Sequence, residues 1–118
     1  MKRTQLDYVR DILACILEIE MFMNGVTQAQ FVEDRKTILA VTKLIEMIGE
    51  AVKNIPEEVK EKYPDIPWRQ MAGMRDRLTH KYYGIDLQIL WDTALSRIPA
   101  IKAPINEMAN RCEQERRP

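Results

Sequence analysis

The sequence predicts an all-α fold, a bundle of four to six helices around one core. Apolar residues recur at threes and fours over residues 6–23 and 34–53. No segment alternates polar and apolar long enough to make a strand. Helix-opening and helix-stopping residues bound the periodic stretches.

In residues 6–23, Val9, Ile12, Leu13, Ile16, Ile19 and Met23 form the stripe, with Asp7, Arg10, Asp11, Glu18 and Glu20 largely between them. Asn24-Gly25 stops this helix. Thr27-x-x-Gln30 reads as a capping box opening a short helical turn, with Phe31 and Val32 as its anchors. Residues 34–53 carry Ile38, Val41, Ile45, Ile48 and Val52 on one face, widened by Leu44 and Ala51. Gly49 inside that pattern costs about 1 kcal/mol relative to alanine, which points to the close approach of another helix. Glu50 beside it reads as a solvated or paired acid.

Pro56 fits the start of a short helix reaching Lys62. Tyr63-Pro64-Asp65-Ile66-Pro67 is an extended connector, because each proline biases its predecessor away from helix. Pro67 opens the next helix, with Trp68 its first large anchor and Gly84 a plausible stop, so that helix ends near residues 80–83. Asp86 is a good N-cap for a further helix, buried through Leu87, Leu90, Trp91, Ala94, Leu95 and Ile98. Pro99 and Pro104 kink or break the chain beyond it. Ile101, Ile105 and Met108 continue a weaker apolar face, and 111–118 is a frayed polar tail. The two tryptophans read as core or dimer anchors and the seven methionines as packing.

A chain of 118 residues is normally one domain, here 1–118, with a modest core that oligomerisation would help. Composition is that of a soluble globular protein, 46% hydrophobic and 31% charged. No apolar run is long enough to span a membrane, and Asp7, Arg10 and Asp11 interrupt any secretory signal. Cys15 and Cys112 lack metal-ligand spacing, and each reads as a reduced helix residue in a cytoplasmic protein. Eighteen basic residues balance eighteen acidic ones, which disfavours wholesale coating of nucleic acid. Between Pro67 and Tyr83, however, Arg69, Arg75, Arg77 and Lys81 face the single acid Asp76. A local basic patch on a neutral protein suits a site that handles a few phosphates.

The stretch Met74-Arg75-Asp76-Arg77-Leu78-Thr79-His80-Lys81-Tyr82-Tyr83 contains the one histidine of the chain. Met71, Met74 and Leu78 share a helical face, and Arg75 and Tyr82, seven residues apart, fall on nearly one side. His80 stands about 140° from Arg75 on an ideal helix, so one straight helix does not bring them together. They converge if the helix frays or bends near Thr79-His80, if a ligand lies across both, or if a second copy completes the site.

Arg75-x4-His80-x-Tyr82, with a polar residue after the arginine, resembles the R-x4-6-H signature of HEPN ribonucleases in the R-x4-H-x-Y form of HepT toxins. The segments at 31–37, Ile48-Gly49-Glu50-Ala51, 63–68 and 83–87 also resemble HepT-type sequence, in order over roughly residues 5–105. The motif alone is weak; the set of segments is specific. The resemblance implies a HEPN-type helical bundle acting as a homodimer with a composite site.

Cutting RNA without a metal or cofactor needs a base for the 2′-hydroxyl, an acid for the departing 5′-oxygen and a cation for the phosphate. Histidine suits the first two, with a pKa near ~6.5. Arginine suits the third, because its planar fork matches phosphate. His80 is therefore assigned as general base or acid and Arg75 as phosphate clamp. A lone helical histidine is more often structural, and the family-like segments reverse that weighting. Asp76 is a supporting residue that orients one of these or the interface. Tyr82 contacts a phosphate or stacks on a base. Arg77 and Lys81 are candidate RNA contacts, read first as a solvated basic face. With one histidine per chain, a two-fold dimer would supply two imidazoles and two guanidiniums.

The resemblance also implies a partner, an MntA-type nucleotidyltransferase antitoxin that transfers AMP to the motif tyrosine, here Tyr82. The chain is thus expected to be the endoribonuclease toxin of a toxin–antitoxin system, cleaving RNA such as tRNA or mRNA and sparing DNA. The competing reading is a non-catalytic helical module that docks a minimal nucleotidyltransferase and its substrate. A DNA-binding helix-turn-helix is disfavoured by the zero net charge and the lack of a short turn between paired helices.

Overall fold

The structure, a computed structural model, describes residues 2–80 and 84–116, with His80 placed by its backbone. Two long helices and a long C-terminal one form the frame. Helix α1 spans Gln5–Met23, α3 spans Arg35–Lys53 and α8 spans Ile98–Arg116. α1 lies between the other two and packs along both. The periodic stripes of the sequence are their buried faces: Val9, Ile12, Ile16 and Ile19 of α1 and Val41, Ile45, Ile48 and Val52 of α3 are fully buried.

Local chemistry sets the helix starts. Thr4 caps α1 through a capping box, its hydroxyl accepting from the Asp7 N–H while its own N–H donates to the Asp7 carboxylate at 2.8 Å. Thr27 and Gln30 form a second such box and open α2, Gln28–Glu33. Phe31 anchors α2 in the core, but Val32, also expected as an anchor, is 41% exposed. A helix of six residues has one buried side, and neighbours in sequence stand about 100° apart on it. Asp34 caps α3, accepting from the Thr37 N–H at 3.1 Å and the Thr37 hydroxyl at 2.6 Å. These bonds favour the carboxylate and hold the Asp34 pKa below its usual value.

The short helix α4 is Glu57–Lys60. The connector after it is fastened by Trp68, whose indole N–H donates to the Tyr63 carbonyl at 3.1 Å. Helices α5, Trp68–Ala72, and α6, Met74–Leu78, come next, separated at Gly73 where a single helix was expected. Beyond α6, Thr79–His80 (β1) pairs antiparallel with Gly84–Ile85 (β2), with Thr79 opposite Ile85 and His80 opposite Gly84. No such pairing was expected; two-residue strands are too short to show a period-two pattern.

Asp86 caps α7, Leu87–Asp92, accepting from the Ile89 N–H at 3.0 Å. The chain then makes a π-helical turn, Thr93–Arg97, and runs on into α8. This turn overturns one expected face. The Ile98 N–H donates to the Thr93 carbonyl five residues back, which stacks Thr93 over Ile98 on the buried side. Leu95, expected in the core, is left 42% exposed.

The prolines do not break the helix either. Pro99 sits just after the π turn, where the bonding pattern has already shifted, and Pro104 lies inside α8. Burial of Ile101, Ile105 and Met108 beside α1 holds the helix together across the missing donor. Residues 111–116, expected as a frayed tail, continue α8 to Arg116. Cys112 is buried there, Arg10 pairs with Glu113, and the Arg111 guanidinium stands over the Tyr63 ring.

Cys15 and Cys112 are free and buried. Burial, then Glu18 and Asp11, push the Cys15 thiol up to about 11. Both tryptophans are half-buried against the core, and the Trp91 and Phe31 rings are 5.5 Å apart. Met23, Met71, Met74 and Met108 pack as expected, but Met21 is 68% exposed and Met47 is also open. Among the described residues no helix is long and apolar enough to cross a membrane.

Candidate active site

The motif is built on α5 and α6, and their placement comes from three apolar side chains and one glycine. Met71, Met74 and Leu78 are buried, so this face of the segment is fixed in the core. On the other side of the contact, α3 presents Gly49. A Cβ there would lie 3.3 Å from the Ala72 carbonyl oxygen and 3.5 Å from that of Met71. The glycine is the close approach that its position inside an apolar stripe predicted. It lets α3 rest directly on the end of α5.

Helix α6 ends at Leu78, earlier than the expected stop at residues 80–83. Thr79 is extended, with φ −104° and ψ 138°. Its hydroxyl donates to the Arg75 carbonyl at 3.4 Å, which ties the turn to the helix it leaves. The Asp86 N–H donates to the Leu78 carbonyl at 2.7 Å, closing the end of α6 against the start of α7. Arg75 therefore stands on the helix and His80 on the strand beyond it. The helix ends between them, the backbone condition of the first of the three ways, while the His80 side chain lies outside the described residues. The angle of an ideal helix no longer separates them, because past Leu78 the chain advances about 3.3 Å per residue instead of about 1.5 Å.

The Arg75 side chain is 57% exposed, and its Nε lies 3.8 Å from Glu46 Oε2 on α3. Asp76 and Arg77 are also exposed. Of the expected basic patch, Arg75 and Arg77 have different surroundings on α6. Arg77 lines a cleft of about 370 Å³ with Met74, Ile89, Asp92, Thr93 and Arg97. Glu46, the partner of Arg75, lines a different groove of about 470 Å³ between α1 and α3. That groove is acidic: Asp11, Glu18, Glu46 and Glu50 outnumber Lys43. Residues close in sequence on a short helix point to different sides, so a run of charge does not by itself make a patch. Glu50 is exposed and paired with Lys53 at 3.3 Å, as expected of a paired acid. The roles expected of Lys81 and Tyr82, as RNA contact and modified tyrosine, lie outside the described residues.

Glu46 is the residue that sequence reasoning missed. The sequence alone carries no signal for it; the glycine contact does. Gly49 touches the Ala72 carbonyl, Glu46 is three residues before Gly49, and Arg75 is three residues after Ala72. Knowing the glycine's partner would have led to the acid. Among the described residues, no three His, Cys, Asp or Glu side chains gather to hold a metal ion.

Similarity to known proteins extends well beyond the motif. A family model described as ribonuclease HepT-like matches residues 12–108. A probable ribonuclease HepT of Thermococcus cleftensis is 44% identical over 108 residues, covering 92% of this chain and 98% of that protein. A putative RNase of Methanocaldococcus jannaschii is 42% identical over 108 residues, covering 92% and 89%. A putative RNase of Caldanaerobacter subterraneus is 39% identical over 107 residues, covering 90% and 95%. No solved structure matches.

Proposed function

This chain belongs to the HepT-like ribonuclease family, and on that premise we propose that it is a metal-independent endoribonuclease, the toxin of a toxin–antitoxin pair. The observation that carries the reading is the arrangement of the Arg-x4-His motif across a helix end. An exposed guanidinium stands on α6, and His80 stands two residues past the last helical residue, Leu78.

The chemistry comes from the side chains. The His80 imidazole takes the proton of a ribose 2′-hydroxyl. The freed 2′-oxygen attacks the adjacent phosphorus and the bond to the 5′-oxygen breaks. An imidazolium, the same one in turn or that of a second copy, gives that oxygen a proton. Arg75 stabilises the charge on the non-bridging oxygens. The products are a 2′,3′-cyclic phosphate and a 5′-hydroxyl. DNA lacks the nucleophile and stays intact. Asp76 supports the motif from the adjacent position.

A homodimer would bring two such motifs to one cleft. Its support on this surface is a set of exposed apolar side chains: Leu17 and Met21 on α1, Leu39 and Met47 on α3. Met47 lines the same groove as Glu46, which pairs with Arg75. Apolar side chains left open on neighbouring helices are available to pack against a second copy. An MntA-type nucleotidyltransferase would silence the enzyme by transferring AMP to Tyr82. The added phosphate is an anion that competes with RNA for Arg75.

Incubation of the purified protein with tRNA and mRNA in EDTA tests the activity. Cyclic phosphate ends are expected from the wild type, and none from a folded His80→Ala variant. RNA left intact at high protein excess would refute the reading. Growth arrest by the wild type but not by His80→Ala separates a toxin from a docking module.

A further inference from the structure

We propose that Glu46 is a positioning residue for Arg75, holding the inner edge of its guanidinium so that the outer edge faces substrate phosphate. The proposal rests on the ribonuclease reading and adds a residue from outside the motif.

The geometry has three parts. The first is the platform. A Cβ at position 49 would stand 3.3 Å from the Ala72 carbonyl oxygen, so α3 passes close to the end of α5, and Glu46 and Arg75 each lie three residues from that crossing. The second is the edge that is used. The nearest approach is Glu46 Oε2 to Arg75 Nε at 3.8 Å, an ion pair longer than a hydrogen bond. A guanidinium presents two edges, one of Nε with one Nη and one of both Nη groups. A carboxylate at Nε leaves the paired Nη edge for a second, bidentate anion. More than half of the Arg75 side chain is exposed, which leaves it accessible to an anion from solvent. The third is the bracing of the acid. Glu46 Oε1 lies 3.9 Å from Lys43 Nζ one turn earlier on α3, so each carboxylate oxygen has its own cation. The Glu46 side chain is 34% exposed, against 66% for Glu50.

An acid beside a phosphate clamp carries an electrostatic disadvantage. Its charge repels RNA and lowers affinity. What it gives in return is orientation of a long, rotamer-rich side chain at the moment charge builds on phosphorus. The two effects have opposite signs in different kinetic constants, which makes the role separable from a structural one. Glu46→Gln keeps the shape and removes the charge. It is expected to lower kcat roughly ten- to a hundredfold, the loss typical of a misplaced catalytic group. KM should stay level or fall, because a repulsive charge is gone.

Glu50 provides the matched control. It lies four residues further along α3, lines the same groove and pairs with Lys53 instead of the motif. Glu50→Gln removes the same charge and is expected to leave kcat within twofold. The experiment measures kcat and KM of wild type, Glu46→Gln and Glu50→Gln on one fluorogenic RNA that the wild type cuts, with helical content and melting checked for each. A wild type that cuts no RNA removes the ribonuclease reading, and this role with it. A wild type that cuts, with Glu46→Gln at the same kcat or Glu50→Gln equally impaired, overturns the role of Glu46 alone. A loss confined to KM also overturns it.

Discussion

Gly49→Ala sets two opposed effects against each other at the contact that positions the motif. Alanine is the better helix former by about 1 kcal/mol, and position 49 is well inside α3. Against this, the new Cβ would stand 3.3 Å from the Ala72 oxygen and 3.5 Å from the Met71 oxygen. Both are backbone atoms at the end of α5 and cannot rotate away. The end of α5 must retreat by a few tenths of an ångström, pulling on Met71 and Met74, which are buried. Overpacking of this kind costs about 1–3 kcal/mol. The steric effect wins, with a net loss of about 1 kcal/mol and a fall in melting temperature of roughly 3–6 °C. Urea unfolding and thermal circular dichroism measure it. Gly49→Val adds two methyl groups and loses β-branched rotamer freedom, so it should fall further still. A Gly49→Ala protein more stable than wild type by the full alanine advantage would show that α3 does not rest on those carbonyls, and the placement of Glu46 against Arg75 would fail with it.

Two other predictions concern the core. Leu78 is fully buried at the last position of α6, so Leu78→Ala should cost about 2–5 kcal/mol in urea unfolding, and Leu78→Met less than about 1.5 kcal/mol; equal losses would mean the site is not tightly packed. Cys15 titrates near 9.0 when unfolded and is pushed up to about 11 by burial in the fold. The unfolded chain therefore loses this proton first, and stability falls as pH rises from about 9 toward 11, by at most roughly 2–3 kcal/mol. Below pH 9 both states keep the proton and the effect vanishes. Cys15→Ala should shed this part of the alkaline loss, and alkylation of Cys15 at about pH 8 should require unfolding; rapid labelling of the native protein would contradict both.

Some of this architecture was legible because it is local. The stripe of α3 from Ile38 to Val52 is a matter of spacing, and burial confirms it position by position. The capping box at Thr27 and Gln30 needs four residues and no distant partner. Gly49 was legible as a contact, though not which backbone it meets. Leu95 was misread because one π turn changes which side chains stack, and nothing in the spacing announces it. Pro99 and Pro104 were misread as breaks because their local cost is real, and the packing of Ile101, Ile105 and Met108 that outweighs it is not local. The early end of α6 depends on a hydrogen bond from Asp86, eight residues ahead.

By itself the sequence determined the long helices α1 and α3, most of the buried faces and the Arg-x4-His motif, because helix period, capping and side-chain chemistry act over a few residues. Only the tertiary structure decided that the motif straddles a helix end, that Arg77 lines a cleft with α7 residues, and that Arg75 answers to an acid on α3. The physical reason is one of range. A guanidinium's chemical capacity is fixed by its atoms, but its direction is set by what packs beneath and beside it, and those neighbours come from helices distant in the chain.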